Sequence, residues 1–262
     1  MIKDLFSLKG KVALVTGGSR GIGRMIAEGF LMQGAKVYIS SRKIAQCDAA
    51  ADELSAGGGA CISLPQDLST VEGCNALTAR LAALEPGLDI LVNNAGAAWG
   101  AAFDEFPESG WDKVMNLNLK SPFFLTQALH GALKAAASPE RPAKVINIAS
   151  IDGIRLNPQE TYSYHASKSA LIYLTRRMAA RLIADNIVVT AIAPGAFASE
   201  MNRDARDHGD AVARRIPMRR IGTDEDMAAA AIYLASRAGD YVVGATIPVD
   251  GGVALADLPF AV

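Results

Sequence analysis

The 262 residues are 50% apolar and 20% charged, and 26 basic against 27 acidic side chains leave a formal net charge of −1. A chain of this length buries roughly 70 to 75% of its surface on folding, so its core needs no disulfide or structural metal. The balanced charge excludes a general nucleic-acid binder, which carries a marked excess of Lys and Arg. No apolar stretch approaches the ~20 residues of a bilayer-spanning helix, and Met1-Ile2-Lys3-Asp4 lacks the layout of a secretory signal. Cys47, Cys61 and Cys74 form no C-x-x-C pair, which indicates a reducing cytoplasm; His130, His165 and His208 show no zinc spacing, and no metal is expected.

Along the chain, short β-branched runs alternate with Ala-, Leu-, Arg- and Glu-rich segments. Strands are predicted at Val12–Val15, Val37–Ile39, Ile62–Leu64, Ile90–Val92, Val145–Ile148, Ile187–Ile192 and Thr246–Val249. Helices are predicted at Gly23–Gln33, Ala45–Ser55, Val71–Leu84, Ser121–Ala137, Tyr164–Ala184 and Asp224–Ser236. The strand runs are continuously apolar, as in a parallel sheet covered on both faces. The economical fold is therefore α/β, a doubly wound seven-stranded parallel sheet with helices on both faces. Gly57-Gly58-Gly59 and Ser138–Pro142 read as loops too short to separate domains, so residues 1–262 are expected to form a single domain.

Directly after the first strand comes Thr16-Gly17-Gly18-Ser19-Arg20-Gly21-Ile22-Gly23, which opens a helix. Such glycines let backbone N–H groups approach a diphosphate at the positive end of that helix. The spacing of Gly17, Gly21 and Gly23 departs from G-x-G-x-x-G, but the turn lies at the carboxyl end of a first strand, where open α/β sheets bind nucleotides. Ser19, Arg20 and Ile22 belong to the same candidate cradle. After the second strand, where an NAD enzyme usually carries Asp or Glu, stand Ser41 and Arg42. A guanidinium holds a phosphate through two parallel hydrogen bonds, and Arg20 adds a second positive charge, so the expected cofactor is NADP(H). Asp67, followed by Leu68, is a candidate for the adenine amino group, with a helix N-cap near Ser69 as the alternative.

Asn93-Asn94-Ala95-Gly96 ends the fourth strand, Ser150 ends the fifth, and Tyr164-His165-Ala166-Ser167-Lys168 opens the next helix. Tyr164 and Lys168, four apart, share a helix face. A phenol of pKa ~10 needs about three units, or roughly 4 kcal/mol, to become a base near pH ~7, and an adjacent ammonium and an oxidised nicotinamide ring work in that direction. Tyr162 competes for this role, but only Tyr164 has a lysine four residues on. Ser150 is placed to stabilise charge developing on a reacting oxygen. These motifs, with Pro194-Gly195 and Asp250-Gly251-Gly252, resemble the short-chain dehydrogenase/reductase family over essentially the whole chain, a Rossmann-like fold. The most similar branch is the NADPH-dependent 3-oxoacyl reductases of the rhamnolipid-biosynthesis type, on Asn93–Gly96 followed by Trp99-Gly100 and on Ile216-Pro217-Met218.

That resemblance implies a catalytic set of Asn118, Ser150, Tyr164 and Lys168, with the Asn118 amide holding a water that links Lys168 to solvent. Asn116 is the nearby alternative, and the distance from Trp111 favours Asn118. It also implies that Asn94, Ala95 and Gly96 line the cofactor groove and that Pro194 and Gly195 face the nicotinamide. A homotetramer is implied, with the helices near Ser121–Ala137 and Tyr164–Ala184 and the last strand at the interfaces; the apolar end Ala254–Val262 also calls for cover. Residues 196–220 are expected to form a lid, with Phe197, Met201, Ile216 and Met218 joining Trp99, Ile151 and Ile154 around an apolar substrate. The expected substrate is a small-molecule ketone, best a 3-oxoacyl thioester, with arginines 203, 206, 214, 215, 219 and 220 available to an acidic carrier protein or coenzyme A phosphate. A sugar, steroid or xenobiotic carbonyl is the alternative, and a non-catalytic NADPH-binding regulator a more distant one. His165 is expected to be a local, satisfied histidine.

Overall fold

The computed structural model describes residues 4–256. Strands β1 (Val12–Thr16), β2 (Lys36–Ser40), β3 (Cys61–Ser63), β4 (Ile90–Asn93), β5 (Ala143–Ile148), β6 (Ile187–Pro194) and β7 (Thr246–Val249) form one seven-stranded sheet in the order β3-β2-β1-β4-β5-β6-β7. Every pairing is parallel. Every residue of β4, β5 and β6 is buried, with the polar Asn93, Lys144, Asn147 and Thr190 among apolar neighbours, so none of these strands has an exposed face. From β1 the chain winds outward to β2 and β3, then returns to β4 and winds the other way. That reversal opens a crevice at the carboxyl ends of β1 and β4.

The pleat sends neighbouring residues of β1 into different layers. Val15 joins the core beneath α1 (Gly21–Met32), α2 (Ile44–Ser55) and α10 (Asp224–Ala235). Leu14 joins the core beneath α3 (Val71–Ala82) and the helices that precede and follow β5. Those helices depart from the sequence expectation. In place of one helix over Ser121–Ala137, α4 (Glu108–Met115) runs through a π turn (Asn116–Lys120) into α5 (Ser121–Ala128), and α6 (His130–Ala136) follows after Leu129. Pro122 explains the wide turn: it has no N–H for the Asn118 carbonyl four residues back, and the Ser121 N–H bonds the Asn116 carbonyl, five back. Helix α4 escaped the sequence reading because only Gly110 and Val114 of its eight residues are buried, too few to set a periodicity.

Helix α7 (Tyr162–Leu182) begins two residues before the predicted Tyr164, so both tyrosines lie in its first turn. The segment 196–220 carries two short helices, α8 (Arg203–Asp207) and α9 (Gly209–Ala213). Among the described residues no helix is long and apolar enough to cross a membrane. The part of the apolar C-terminal stretch beyond Ala256 lies outside the described residues.

Candidate active site

The glycine turn sits at the crevice. Gly17 (φ +66°) and Gly21 (φ +52°) adopt left-handed conformations that favour glycine. Gly23 packs so closely that an added Cβ would lie 2.3 Å from the Gly17 carbonyl and 2.4 Å from Asn94 Nδ2. Asn94 and Ala95 staple β4 to this turn: Asn94 Nδ2 donates to the carbonyls of Thr16 (2.8 Å) and Gly17 (3.2 Å), and Thr16 Oγ1 accepts from the N–H groups of Asn94 (2.9 Å) and Ala95 (3.0 Å). The start of α1 has no side-chain cap, which leaves its first N–H groups facing the crevice. Arg20 and Arg42 are exposed and have no ion pair among the described residues, whereas Arg24 is bound to Glu53 at 2.6 Å. An uncapped helix start, a turn shaped by glycine and two unengaged guanidinium groups fit a phosphorylated dinucleotide.

Other predicted cofactor contacts are placed less directly. Ser19 is buried and Ile22 packs against the core, so both support the turn. The Ser41 hydroxyl donates to the Lys43 carbonyl at 3.4 Å, and Leu68 is a core residue. Asp67 does not cap α3. It accepts from the Ser69 N–H at 2.9 Å, and Thr70 is the cap, accepting from the Gly73 N–H at 3.1 Å. Pro194 ends β6, and Gly195 continues the pairing by donating to the Val249 carbonyl at 2.9 Å.

Ser150, Tyr164 and Lys168 converge where β5 meets α7. Ser150 caps the short turn Ile151–Gly153 by accepting from the Asp152 N–H at 3.1 Å. Lys168 is buried, donates to the Ile148 carbonyl at 2.7 Å and lies 5.6 Å from the centroid of the Tyr164 ring. Burial pushes the Tyr164 phenol up to about 12, against the Ser150 hydroxyl, which lowers it, and with the Asp152 charge, which raises it. Burial likewise brings the Lys168 ammonium down to about 8. Burial thus sets the direction of the Tyr164 shift in the protein alone, whereas the lowering expected from the Lys168 ammonium and an oxidised nicotinamide ring concerns the cofactor-bound site.

Asn118 is engaged through both ends of its side-chain amide. Its Oδ1 accepts from the Ala97 N–H at 2.8 Å, and its Nδ2 donates to the Ala97 carbonyl at 2.9 Å and to Ser167 Oγ at 3.1 Å. The side-chain amide thus ties the segment after β4 to α7. Gly96 lies beside it.

The competing residues separate cleanly. Tyr162 donates to Glu160 Oε1 at 2.8 Å and packs edge-on against Phe103 and Phe106, away from the lysine. His165 is satisfied on one side only: Nδ1 meets the Thr161 carbonyl at 3.0 Å, and Nε2 is buried without a partner. Of the expected apolar lining, Phe197 and Ile216 are core anchors, and Trp99 packs on Gly110 with Lys113 over its ring. Met201, Met218 and Ile154 remain exposed. Sequence reasoning missed Asp152, whose signal was its place two residues after Ser150.

A doubly wound sheet that brings a dinucleotide cradle and a Ser–Tyr–Lys group to one edge defines a nicotinamide-dependent oxidoreductase. The family model described as enoyl-(acyl carrier protein) reductase matches residues 17–254. A rhamnolipids biosynthesis 3-oxoacyl-[acyl-carrier-protein] reductase of Pseudomonas aeruginosa is 49% identical over 250 residues, 94% of this chain and 97% of the relative. The 2-dehydro-3-deoxy-D-gluconate 5-dehydrogenase of Escherichia coli is 40% identical, over 96% of this chain and 98% of the relative. A solved Pseudomonas aeruginosa RhlG/NADP active-site complex superimposes with a TM-score of 0.93 at 48% identity, covering 96% of this chain and 99% of that one. The chain belongs to the short-chain dehydrogenase/reductase family, and it is an NADP-dependent oxidoreductase.

Proposed function

We propose that the protein reduces a 3-oxoacyl thioester to the 3-hydroxyacyl product with NADPH, and that Ser150, Tyr164 and Lys168 carry the reaction with Asn118 as the residue that positions them. The observation that carries this reading is the convergence of Ser150, Tyr164 and Lys168 where β5 meets α7, with the Lys168 ammonium 2.7 Å from the Ile148 carbonyl and 5.6 Å from the centroid of the Tyr164 ring. A ketone reduction needs a proton donor next to a hydrogen-bond donor for the carbonyl oxygen. Bound NADPH supplies the hydride. Ser150 donates a hydrogen bond to the carbonyl oxygen, and Tyr164 gives its proton to that oxygen as the C–H bond forms. Lys168, anchored on Ile148, provides the positive charge that stabilises the resulting phenolate. Asn118 acts through structure, since its amide holds the Ala97 and Ser167 backbone and hydroxyl groups that border the site. The 49% identity to the Pseudomonas aeruginosa reductase supports the thioester. Turnover of an acetoacetyl thioester with NADPH, at a rate above a simple ketone control, tests it; no excess over the control removes this substrate class.

Sugar-acid chemistry is the second reading, favoured by the 40% identity to the Escherichia coli dehydrogenase. A panel of ketones and thioesters followed at 340 nm separates the two. A purely regulatory role is disfavoured, because a sensor has no need of a proton donor paired with Ser150 and Lys168.

The remaining assignments belong to the same proposal. The protein is read as one cytoplasmic domain, with 196–220 closing over the substrate from its anchors Phe197 and Ile216. Of the lid arginines, Arg206 pairs with Glu200 and Asp207, and Arg220 with Asp226. Arg203, Arg214 and Arg215 are left to meet an acidic thioester carrier. A homotetramer is supported by the apolar hollow between α5 and α7, lined by Phe123, Leu174, Met178 and Leu182.

A further inference from the structure

Asp152 lies on the turn that follows Ser150, and this turn is locked to α7. Ser169 Oγ donates to the Gly153 carbonyl at 3.0 Å, and Gly153 approaches so closely that a Cβ there would lie 2.7 Å from the Lys168 carbonyl carbon. Ser150 Oγ accepts from the Asp152 N–H at 3.1 Å, which holds the residue beside the reacting groups. Its side chain is half-buried, and its carboxylate neither accepts a hydrogen bond nor forms an ion pair among the described residues. Asp152 is also the one carboxylate whose charge is felt by both Tyr164 and Lys168, raising both. A half-buried, unengaged carboxylate interacts with other charges through a medium less screening than water.

We infer that Asp152 is a specificity residue that turns away carbonyl substrates bearing a carboxylate near the reacting carbon and so selects neutral ones. The buried Lys168 cation draws an anion toward the carbonyl position. With Asp152 the two charges offset each other, and a substrate carboxylate entering beside Ser150 meets a like charge whose cost rises as water is displaced. A 3-oxoacyl thioester carries no charge next to its ketone and meets no such cost. This inference rests on the thioester reading and deepens it by naming the charge state of substrate that the site accepts.

The test uses one carbon skeleton in two charge states, acetoacetate and its methyl ester, with NADPH, the wild type and Asp152→Asn. The expected result is a wild-type kcat/KM favouring the ester, with the acid-to-ester ratio rising about tenfold or more in Asp152→Asn and returning toward the wild-type value in Asp152→Glu. Taking the ratio at one pH cancels any change in Tyr164, and a general packing defect lowers both rates without moving it. An unchanged ratio in Asp152→Asn overturns the inference. If neither compound is reduced, turnover of the acetoacetyl thioester decides the thioester reading separately. The charge question is then decided by binding of the same pair to the NADP-loaded protein, read by cofactor or tryptophan fluorescence. Tighter acetoacetate binding in Asp152→Asn upholds the inference, and equal binding in the two proteins overturns it.

Discussion

Lys168 directs its ammonium at the Ile148 carbonyl, 2.7 Å away, and stands 5.6 Å from the centroid of the Tyr164 ring, so β5 fixes the cation that accompanies the phenol. The lysine is a charge held at the site by the sheet. Two consequences follow for pH. In catalysis, loss of the Lys168 proton removes the charge that stabilises the phenolate. The kcat/KM for reduction is therefore expected to be level at neutral pH and to fall as pH rises through about 8. Lys168→Met is expected to be slow throughout and to lack this descent.

The same residue links pH to stability with a definite sign. Its folded pKa, about 8, lies below the value of 10.5 for the free side chain, so between them the unfolded chain binds more protons. Stability from this group rises with pH across that window, because the folded state no longer has to bury a charge. Lys168→Met is expected to raise the unfolding free energy obtained from urea denaturation at pH 7 by about 1–3 kcal/mol. The advantage shrinks by pH 10. A Lys168→Met protein less stable than wild type at pH 7 contradicts this account.

Tyr164→Phe is expected to lower kcat for reduction by about 10²–10⁴-fold, the usual contribution of a positioned acid, while NADPH still binds. Tyr162→Phe removes only a hydrogen bond to Glu160 on an aromatic surface cluster, and is expected to keep activity within a few-fold. Steady-state kinetics beside a fluorescence titration of NADPH distinguish the two. Comparable losses in both variants would remove the assignment.

The legible parts of the chain are those set by local pattern. Val12–Val15 and Ile90–Val92 announce buried parallel strands by being apolar without interruption, as does Ile187–Ile192 apart from Thr190, and the glycine turn announces itself by composition. What was not legible depends on contacts across the fold. The Asn118 amide is consumed by Ala97, 21 residues earlier, and no spacing rule anticipates that pairing. The direction of the Tyr164 shift depends on burial by neighbouring elements, which the i, i+4 relation to Lys168 does not contain. The break before α5 did have a signal in Pro122, since a proline there leaves the Asn118 carbonyl without its α-helical donor.

Asn118→Ala is expected to act first on stability. It strands the Ala97 N–H and carbonyl, while Ser167 keeps its donation to the Tyr164 carbonyl at 2.8 Å, and each unsatisfied buried group costs about 1–3 kcal/mol. A fall in melting temperature of several degrees is expected, at ~2–4 °C per kcal/mol for a chain of this size. Wild-type melting in Asn118→Ala would show that the amide pair with Ala97 does not form.

Cofactor choice is expected to reside in Arg20 and Arg42. Both are exposed and without an ion pair among the described residues, so a substitution leaves no stranded carboxylate, and the fold should be unaffected. A charge-assisted hydrogen bond to a phosphate contributes about 1.5–3 kcal/mol, and its loss weakens binding by roughly 10–100-fold. Arg42→Ala is expected to raise the Kd for NADPH by that factor while changing the Kd for NADH by less than about threefold, because only the first carries a 2′-phosphate. Arg20→Ala should show the same selectivity with a smaller loss, since it is supplied by the glycine turn and not by the end of β2. Isothermal titration of both nucleotides against both variants checks this. If the two affinities fall in parallel, the arginines act on the diphosphate or on the fold, and the preference for NADPH must come from another group.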